Sequence, residues 1–350
     1  MTKRWNQRPP GSTWGDWGDD DQLGRINLLT PEKVLEGVRE VEAGISFCLS
    51  LPLDYPGGTL LNQRRYPPVL APTEDLQGNP GTFFNIHMSE MDPRYVDVWA
   101  DDVVTLSLQY STQWDGLAHV GAEFDADGDG VEEPMYYNGY RAGTDIVGPQ
   151  ADAAGDGSRH TSFARHLGLE HMAYKGVQGR GVLVDLAHHL GHDFRGVDLK
   201  MLQEIMAADN VVVEPGDMLV LHTGFATEIL NWNREPDPLK IHRMCTFLDA
   251  HDEALLEWID KSQISALVAD NYAVEGLVAP HKDRDDHRHS FLPIHNLCLF
   301  RLGIPLGELW YLHQLATWLR EHNRSRFLLT APPLRLPGAI GSPLTPVATV

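Results

Sequence analysis

Cysteine is scarce in this chain: three in 350 residues, Cys48, Cys245 and Cys298, far apart from one another. That spacing excludes a disulfide framework and offers no close Cys pair for a zinc site. Basic residues are outnumbered, 28 Lys and Arg against 49 Asp and Glu, which gives a formal net charge of −21. Phosphate binding needs clustered Lys and Arg, so no nucleic-acid partner is expected. No apolar run approaches the ~18 residues that would suggest a membrane span, so no membrane partner is expected either. The opening Met1 to Pro10 carries no apolar stretch of the secretory kind, and a cytoplasmic location is expected. What is present, 42% hydrophobic and 22% charged residues, is the profile of a globular protein with a sizeable core. Seventeen His residues make chance His pairs common.

The chain is organised around Gln109 to His119, which reads Gln-Tyr-Ser-Thr-Gln-Trp-Asp-Gly-Leu-Ala-His. The preceding Val103 to Leu108 has the β-branched and apolar content of a strand. Continued to Asp115, strand alternation puts Gln109, Ser111, Gln113 and Asp115 on one face, with Tyr110, Thr112 and Trp114 on the other. Gly116 releases the strand, and His119 follows four residues after the Asp. Such a row is either the polar outer face of a half-buried strand or a functional row. Gln and Asp are poor strand formers, which favours a selected purpose.

This stretch resembles the signature of the cyclase family, which includes kynurenine formamidases, isatin hydrolases and trans-dienelactone hydrolases. That signature reads His-x-Gly-Thr-His-x-Asp-x-Pro-x-His. Thr112, Asp115 and His119 match it in type and spacing, whereas Gln109 and Gln113 stand at its first two His positions, Ser111 at its Gly and Leu117 at its Pro. The Gln-x-x-x-Gln-x-Asp form is similar to the trans-dienelactone hydrolase branch. The resemblance spans nearly the whole chain and implies one domain over 1–350, of α/β class. Its core would be a mixed, barrel-like β-sheet flanked by helices, the swivelling β/α type of the family.

Elsewhere the pattern agrees with that class. Residues 1–30 carry Trp5, Trp14 and Trp17, costly to leave in water, so an arm wrapped over the domain or a neighbouring subunit is expected. Thr30 and Pro31 open a helix to Glu42 with an apolar stripe of Val34, Leu35, Val38 and Val41. Ile45–Leu51 and a short stretch near Thr82–His87 read as strands. Asp125, Asp127 and Asp129 resemble the start of a calcium loop, but the twelfth position, where a Glu belongs, is Tyr136; an acidic loop is the expectation. Buried strands are expected at Gly181–Leu186, Met218–Gly224 and Ala266–Asn271, with helices at Asp198–Ala208 and around Leu255–Ile259 between them. Ligands in such sheets sit beyond strand ends, where Asp270 and His222 lie. His281, His287 and His289 fall among charged residues and read as a solvated loop. His295 opens an apolar helix, Asn296–Leu302, closed by Gly303. The resemblance implies that His295 and Glu308 complete a metal site.

The expected function is a metal-dependent hydrolase that opens an amide or lactone bond of a small cyclic or aromatic substrate. Asp115, His295 and Glu308 would hold a divalent cation, Gln109 and Gln113 would add neutral oxygens, and His119 would serve as general base and then acid. Trp114, Phe124 and Tyr137 are candidate substrate contacts with plain core as the alternative, and His222 is a candidate substrate contact or a hydrogen-bonded core residue. With oxygen donors dominant, manganese is expected over zinc, although zinc stands higher in affinity order. Two alternatives remain open: a lyase or cyclase using His119 and Asp115 as an acid–base pair, and a non-catalytic protein with a vestigial metal site. A homo-oligomer, most simply a two-fold dimer, is expected from the Trp-bearing arm.

Overall fold

The structure, a computed structural model, describes residues 4–74, 83–276 and 288–350. Thr82, His281 and His287 lie outside the described residues. Nine strands among the described residues form one curled mixed sheet: β1 (Ser46–Cys48), β2 (Gln113–Asp115), β3 (Gln178–Asp185), β4 (Met218–His222), β5 (Ala266–Ala269), β6 (Leu306–Glu308), β7 (Arg326–Thr330), β8 (Gly341–Pro343) and β9 (Val347–Thr349). Their spatial order is β1-β9-β7-β3-β4-β5-β6-β2-β8. The central run β3-β4-β5-β6 is parallel and the flanking pairs are antiparallel.

The parallel strands are continuous apolar runs because both their faces are covered. Val182, Val184, Leu219, Leu221, Leu267 and Ala269 pack on one side against Leu202 and Ile205 of α2 (Leu199–Ala208) and Leu255 and Ile259 of α3 (Glu253–Lys261). The intervening Leu183, Val220 and Val268 pack on the other side with Leu315 and Leu319 of α4 (His313–Glu321), Trp114 and Phe327. Asp198 starts α2 by accepting from the Met201 amide at 2.8 Å, and Asp252 starts α3 by accepting from the Ala254 amide at 3.0 Å. These are ordinary N-caps, each satisfying an amide that the helix itself leaves open.

Two expectations, the face of the first helix and the course of the strand before Asp115, need correction, and the N-terminal arm takes the first of its two expected courses. The first helix, α1, spans Pro31–Arg39, and it buries Lys33 and Gly37 while Leu35 and Val38 of the expected stripe stay about half exposed. Gly37 lies so close to β3 that a Cβ there would sit 2.7 Å from the Gly179 carbonyl. Lys33 Nζ reaches the fully buried Asp217 at 3.2 Å, alongside Arg180 Nε at 2.8 Å. An uncompensated buried carboxylate is costly, so this ion pairing sets the inward face in place of the apolar stripe. The Trp-bearing arm wraps its own domain: Trp14 is fully buried, donates to the Phe300 carbonyl at 2.7 Å, and meets Phe124 and Phe300 edge to face. Of the arm's three Trp side chains, Trp5 and Trp14 are thus buried by their own chain, which removes most of the apolar surface from which a dimer was expected.

The strand expected from Val103 through Asp115 is broken. Asp102–Thr105 belongs to a ribbon outside the sheet, the chain turns where the Tyr110 amide bonds to the Ser107 carbonyl, and β2 begins only at Gln113. Gln109 and Ser111 consequently do not share the sheet face of Gln113 and Asp115. The ribbon pairs Val69–Pro72 with Asp102–Thr105 and Phe84–His87 with Val98–Ala100, both antiparallel.

Candidate active site

Two antiparallel neighbours of β2 build the site by register. Glu308 on β6 stands opposite Gln113, and Leu306 opposite Asp115, while β8 covers the other edge. Opposed and diagonal residues on one sheet face are within side-chain reach, which gathers Gln113, Asp115 and Glu308 without any loop. All three are buried, Gln113 and Asp115 completely. Gln113 Nε2 donates to Glu308 Oε2 at 3.0 Å and to Asp115 Oδ1 and Oδ2 at 3.2 and 3.4 Å. Its carbonyl oxygen turns the other way, toward Arg65 Nη1 at 3.4 Å. This orientation is the one the hydrogen-bond network assigns, because the reverse would set an NH2 against a guanidinium. Gln113 thus serves as a donor holding two carboxylates, where a neutral oxygen ligand was expected.

His295 arrives from another element. It ends a short turn, Pro293–His295, that runs into a wide π-type helix, Asn296–Leu302, closed by Gly303 at φ +63°. A helix was expected here, but its turns are wider than α. Its orientation comes from Glu275. Oε1 of Glu275 accepts from the His295 amide at 2.8 Å and pairs with Nδ1 at 2.7 Å, while Oε2 accepts from the Ile294 amide at 3.0 Å. One carboxylate therefore caps the turn and fixes the imidazole. Nε2 is left facing Glu308 Oε1 at 3.3 Å. Asp115, His295 and Glu308 each bring one ligand atom into a group whose members lie within 4.8 Å of one another.

The charges follow from this crowding. Burial pushes the Asp115 carboxyl up, His119 partly offsets that, and Glu308 adds to it. Burial also acts against ionised Glu308, yet the His295 contact outweighs it and holds the carboxyl below its usual range. For His295 burial favours the neutral ring, but Glu275 and Glu308 push it up to about 10. The cluster asks for positive charge. Glu308 Oε1 is buried without a hydrogen-bond partner, and once a cation takes over the positive charge the neutral His295 ring, its Nδ1–H donating to Glu275, would turn an Nε2 lone pair to the same point. This carboxylate–imidazole pairing behind a ligand nitrogen is how proteins orient metal ligands. The residues present fit a divalent cation.

His119 stands at the rim, its side chain about one fifth exposed, with Nε2 3.7 Å from Asp115 Oδ2. Gln109 lies behind it, Nε2 to Nδ1 at 3.4 Å, packed against Gly341. The side chain of Gln109 is thus a support for His119 and not part of the three-ligand group. A cavity of about 320 Å³ opens from His119, His295 and Glu308, walled by Tyr110, Tyr272 and Phe291 with Arg65 beside them.

None of the four expected substrate contacts lines this cavity. Trp114 is fully buried against Trp310 and donates to the Ala331 carbonyl. Tyr137 is buried against Thr13, and Phe124 packs on Trp14 and Phe300 beside an outer groove. His222 pairs with Asp185 at 2.7 Å at the ends of β3 and β4. The expected acidic loop is largely exposed, and Asp125 accepts from the Gly128 and Gly130 amides of its own turn. Sequence reasoning missed Arg65, Tyr110, Tyr272, Phe291 and Glu275. Only Glu275 carried a usable sign, a second carboxylate five residues past Asp270 at the end of β5.

Backbone strain marks the same place. Ala273 and Val274 hold φ of +76° and +58°, rare for any residue with a side chain and costly for a β-branched one. Asn271 holds the turn by accepting from the Val274 amide at 3.1 Å. The turn sets Tyr272 and Ala273 on the cavity and Glu275 behind His295.

Comparison with known proteins places this arrangement. A solved structure described as a novel cyclase is 30% identical, covers 97% of this chain and 99% of its own, and superposes with a TM-score of 0.72. Isatin hydrolase A from Labrenzia aggregata is 11% identical over 87% of this chain and 93% of its own, TM-score 0.52. The enzyme of the same name from Ralstonia solanacearum is 11% identical over 87% and 91%, TM-score 0.51. The likeness to these two is one of fold. No curated protein matches the chain. The sequence pattern of the family described as putative cyclase matches residues 49–276, the span that contains β2, His119 and Glu275. With this match over more than half its length, the chain belongs to the putative cyclase family.

Proposed function

We propose that the protein is a metal-dependent hydrolase acting on an amide or lactone bond of a small cyclic or aromatic substrate. The observation that carries the reading is the convergence of Asp115, Glu308 and His295 Nε2 on one point, with Glu308 Oε1 unpartnered there. Asp115, His295 and Glu308 would hold the cation. Bound there, a divalent cation supplies Lewis acidity, lowering the pKa of water and polarising the scissile carbonyl. Gln113 keeps the two carboxylates in place, and Glu275 keeps the His295 ring aimed. His119 is the cavity-facing imidazole outside the three-ligand group, so it takes the proton released by attacking water and returns it to the leaving atom. The Gln109 amide behind it can present either end to Nδ1, which suits a ring that gains and loses a proton. Tyr110, Tyr272 and Phe291 offer flat walls, and the cavity is of a size that encloses a single ring system. Carboxylate-rich donors favour manganese, with zinc the competitor.

The test is turnover in ¹⁸O-labelled water on a panel of aryl formamides, isatin-like lactams and lactones. Hydrolysis puts one labelled oxygen in the product. A product that has lost water, or carries no label, would make His119 and Asp115 the acid–base pair of a lyase instead.

A further inference from the structure

Hydrolysis by the proposed route makes negative charge before it breaks a bond. As water adds to the carbonyl carbon, its proton passes to His119 and the carbonyl π pair moves onto oxygen. The pair returns as the C–N or C–O bond breaks, and His119 gives its proton to the leaving atom. The surroundings oppose that transient oxyanion, because Asp115 and Glu308 are buried beside the cavity in a chain of net charge −21. The cavity lining runs the other way. Among the described residues it holds Arg64 and Arg65 against the single carboxylate of Glu308.

The two Arg residues are placed differently. Arg64 is exposed, whereas Arg65 is half-buried and held. Arg65 Nη1 donates to the Gln109 carbonyl at 2.7 Å and to Gln113 Oε1 at 3.4 Å. Gln109 lies against His119, and Gln113 Nε2 donates to Glu308 at 3.0 Å. Both acceptors therefore tie the guanidinium to the groups that carry the chemistry and not to the rim. Arg65 forms no ion pair with another described residue, and its Nε and Nη2 make no hydrogen bond to one. That unspent edge is the planar fork with which a guanidinium takes oxygen anions. A positive charge fixed in advance, and not neutralised by a carboxylate, stabilises charge that appears only in the transition state.

We infer that Arg65 is a further catalytic residue, whose Nε and Nη2 edge meets the carbonyl oxygen as that atom becomes an oxyanion. The inference deepens the hydrolase reading and rests on it. Gln113 then has two tasks, since its amide nitrogen holds the carboxylates and its amide oxygen holds the guanidinium.

Formanilide hydrolysis and phenylphosphonate binding test it on full-length protein dialysed against manganese, for wild type, Arg65→Gln and Arg65→Lys. Phenylphosphonate imitates the tetrahedral anion, and benzamide is its planar, neutral counterpart. Arg65→Gln is expected to lower kcat by about 10²–10³ with little change in KM, as loss of an oxyanion donor does. Its metal content and Tm should match wild type. By calorimetry its affinity loss should be at least ~30-fold greater for phenylphosphonate than for benzamide. Arg65→Lys, which keeps the charge but not the fork, should fall between, and it carries both measurements if Arg65→Gln does not fold. An unchanged kcat overturns the inference, as does an equal loss of affinity for the two ligands. An effect confined to the KM of carboxylated formanilides would give Arg65 to a substrate anion and overturn it. Loss of metal would make Arg65 a support of the ligand cluster and overturn it too. If wild type hydrolyses none of the substrate panel, the hydrolase reading fails, and the phenylphosphonate comparison alone decides the place of Arg65.

Discussion

Glu275 acts on this site from outside the motif. By capping the Pro293–His295 turn and pairing with Nδ1, it converts His295 from a buried imidazole into a directed one. Asp115 is a fully buried carboxylate of the three-residue group. Asp115→Asn is expected to weaken metal binding at least ~100-fold, the scale seen when supporting groups of a metal site are lost. The metal-free protein should keep or slightly raise its Tm, since the change relieves two buried carboxylates of mutual repulsion; calorimetry with and without metal checks both. His222 gives a second residue-scale expectation. Burial favours its neutral form, but the Asp185 hydrogen bond and Asp270 raise its pKa above the usual value. A raised folded pKa stabilises fully below the unfolded value of about 6.5 and is lost as pH climbs through the folded one. His222→Gln should therefore cost about 1–3 kcal/mol at low pH, with the gap to wild type closing as pH rises, read from Tm against pH. Asp115, His119, His295 and Glu308 were all legible as candidates from the motif and the family resemblance. Tyr110, Tyr272 and Phe291 were not, because an aromatic side chain in sequence reads alike whether it walls a cavity or fills the core, as Trp114 and Tyr137 do.

At the scale of elements, the site rests on pairing register. A one-residue slip of β6 against β2 would turn Glu308 to the opposite face from Gln113 and Asp115. The parallel strands and the helices between them were readable because buried parallel strands are unbroken apolar runs with capping residues between them. The course from Val103 to Asp115 was not readable. Alternation alone cannot reveal that Thr112 leaves the strand pattern to bond with the Leu309 carbonyl at 2.6 Å and the Leu51 amide at 2.8 Å. The face of α1 was hidden for a similar reason, since the Asp217 ion pairs that draw Lys33 inward come from distant sequence. Gly37→Ala tests that packing. Its new methyl would press on the Gly179 backbone, which cannot yield as a side chain does, so a loss of about 1–3 kcal/mol is expected by denaturant unfolding.

Over the whole molecule, the curled sheet closes around a buried group of carboxylates in a chain already at −21. That group is stable only with compensating positive charge, supplied by protonated His295 or by a cation. A ligand that binds the folded form alone stabilises by mass action, about 2.7 kcal/mol at 100 times Kd. Manganese or zinc should therefore raise Tm in wild type and not in Asp115→Asn. The most direct measurement of the central claim is the metal content of full-length protein purified without a His tag, by mass spectrometry, for wild type, Asp115→Asn and His119→Ala. The account expects bound manganese or zinc in wild type, the same amount in His119→Ala with turnover reduced by about 10²–10⁴, and none in Asp115→Asn. Wild type without bound metal, even after dialysis against manganese and zinc, or Asp115→Asn retaining the full amount, would contradict it.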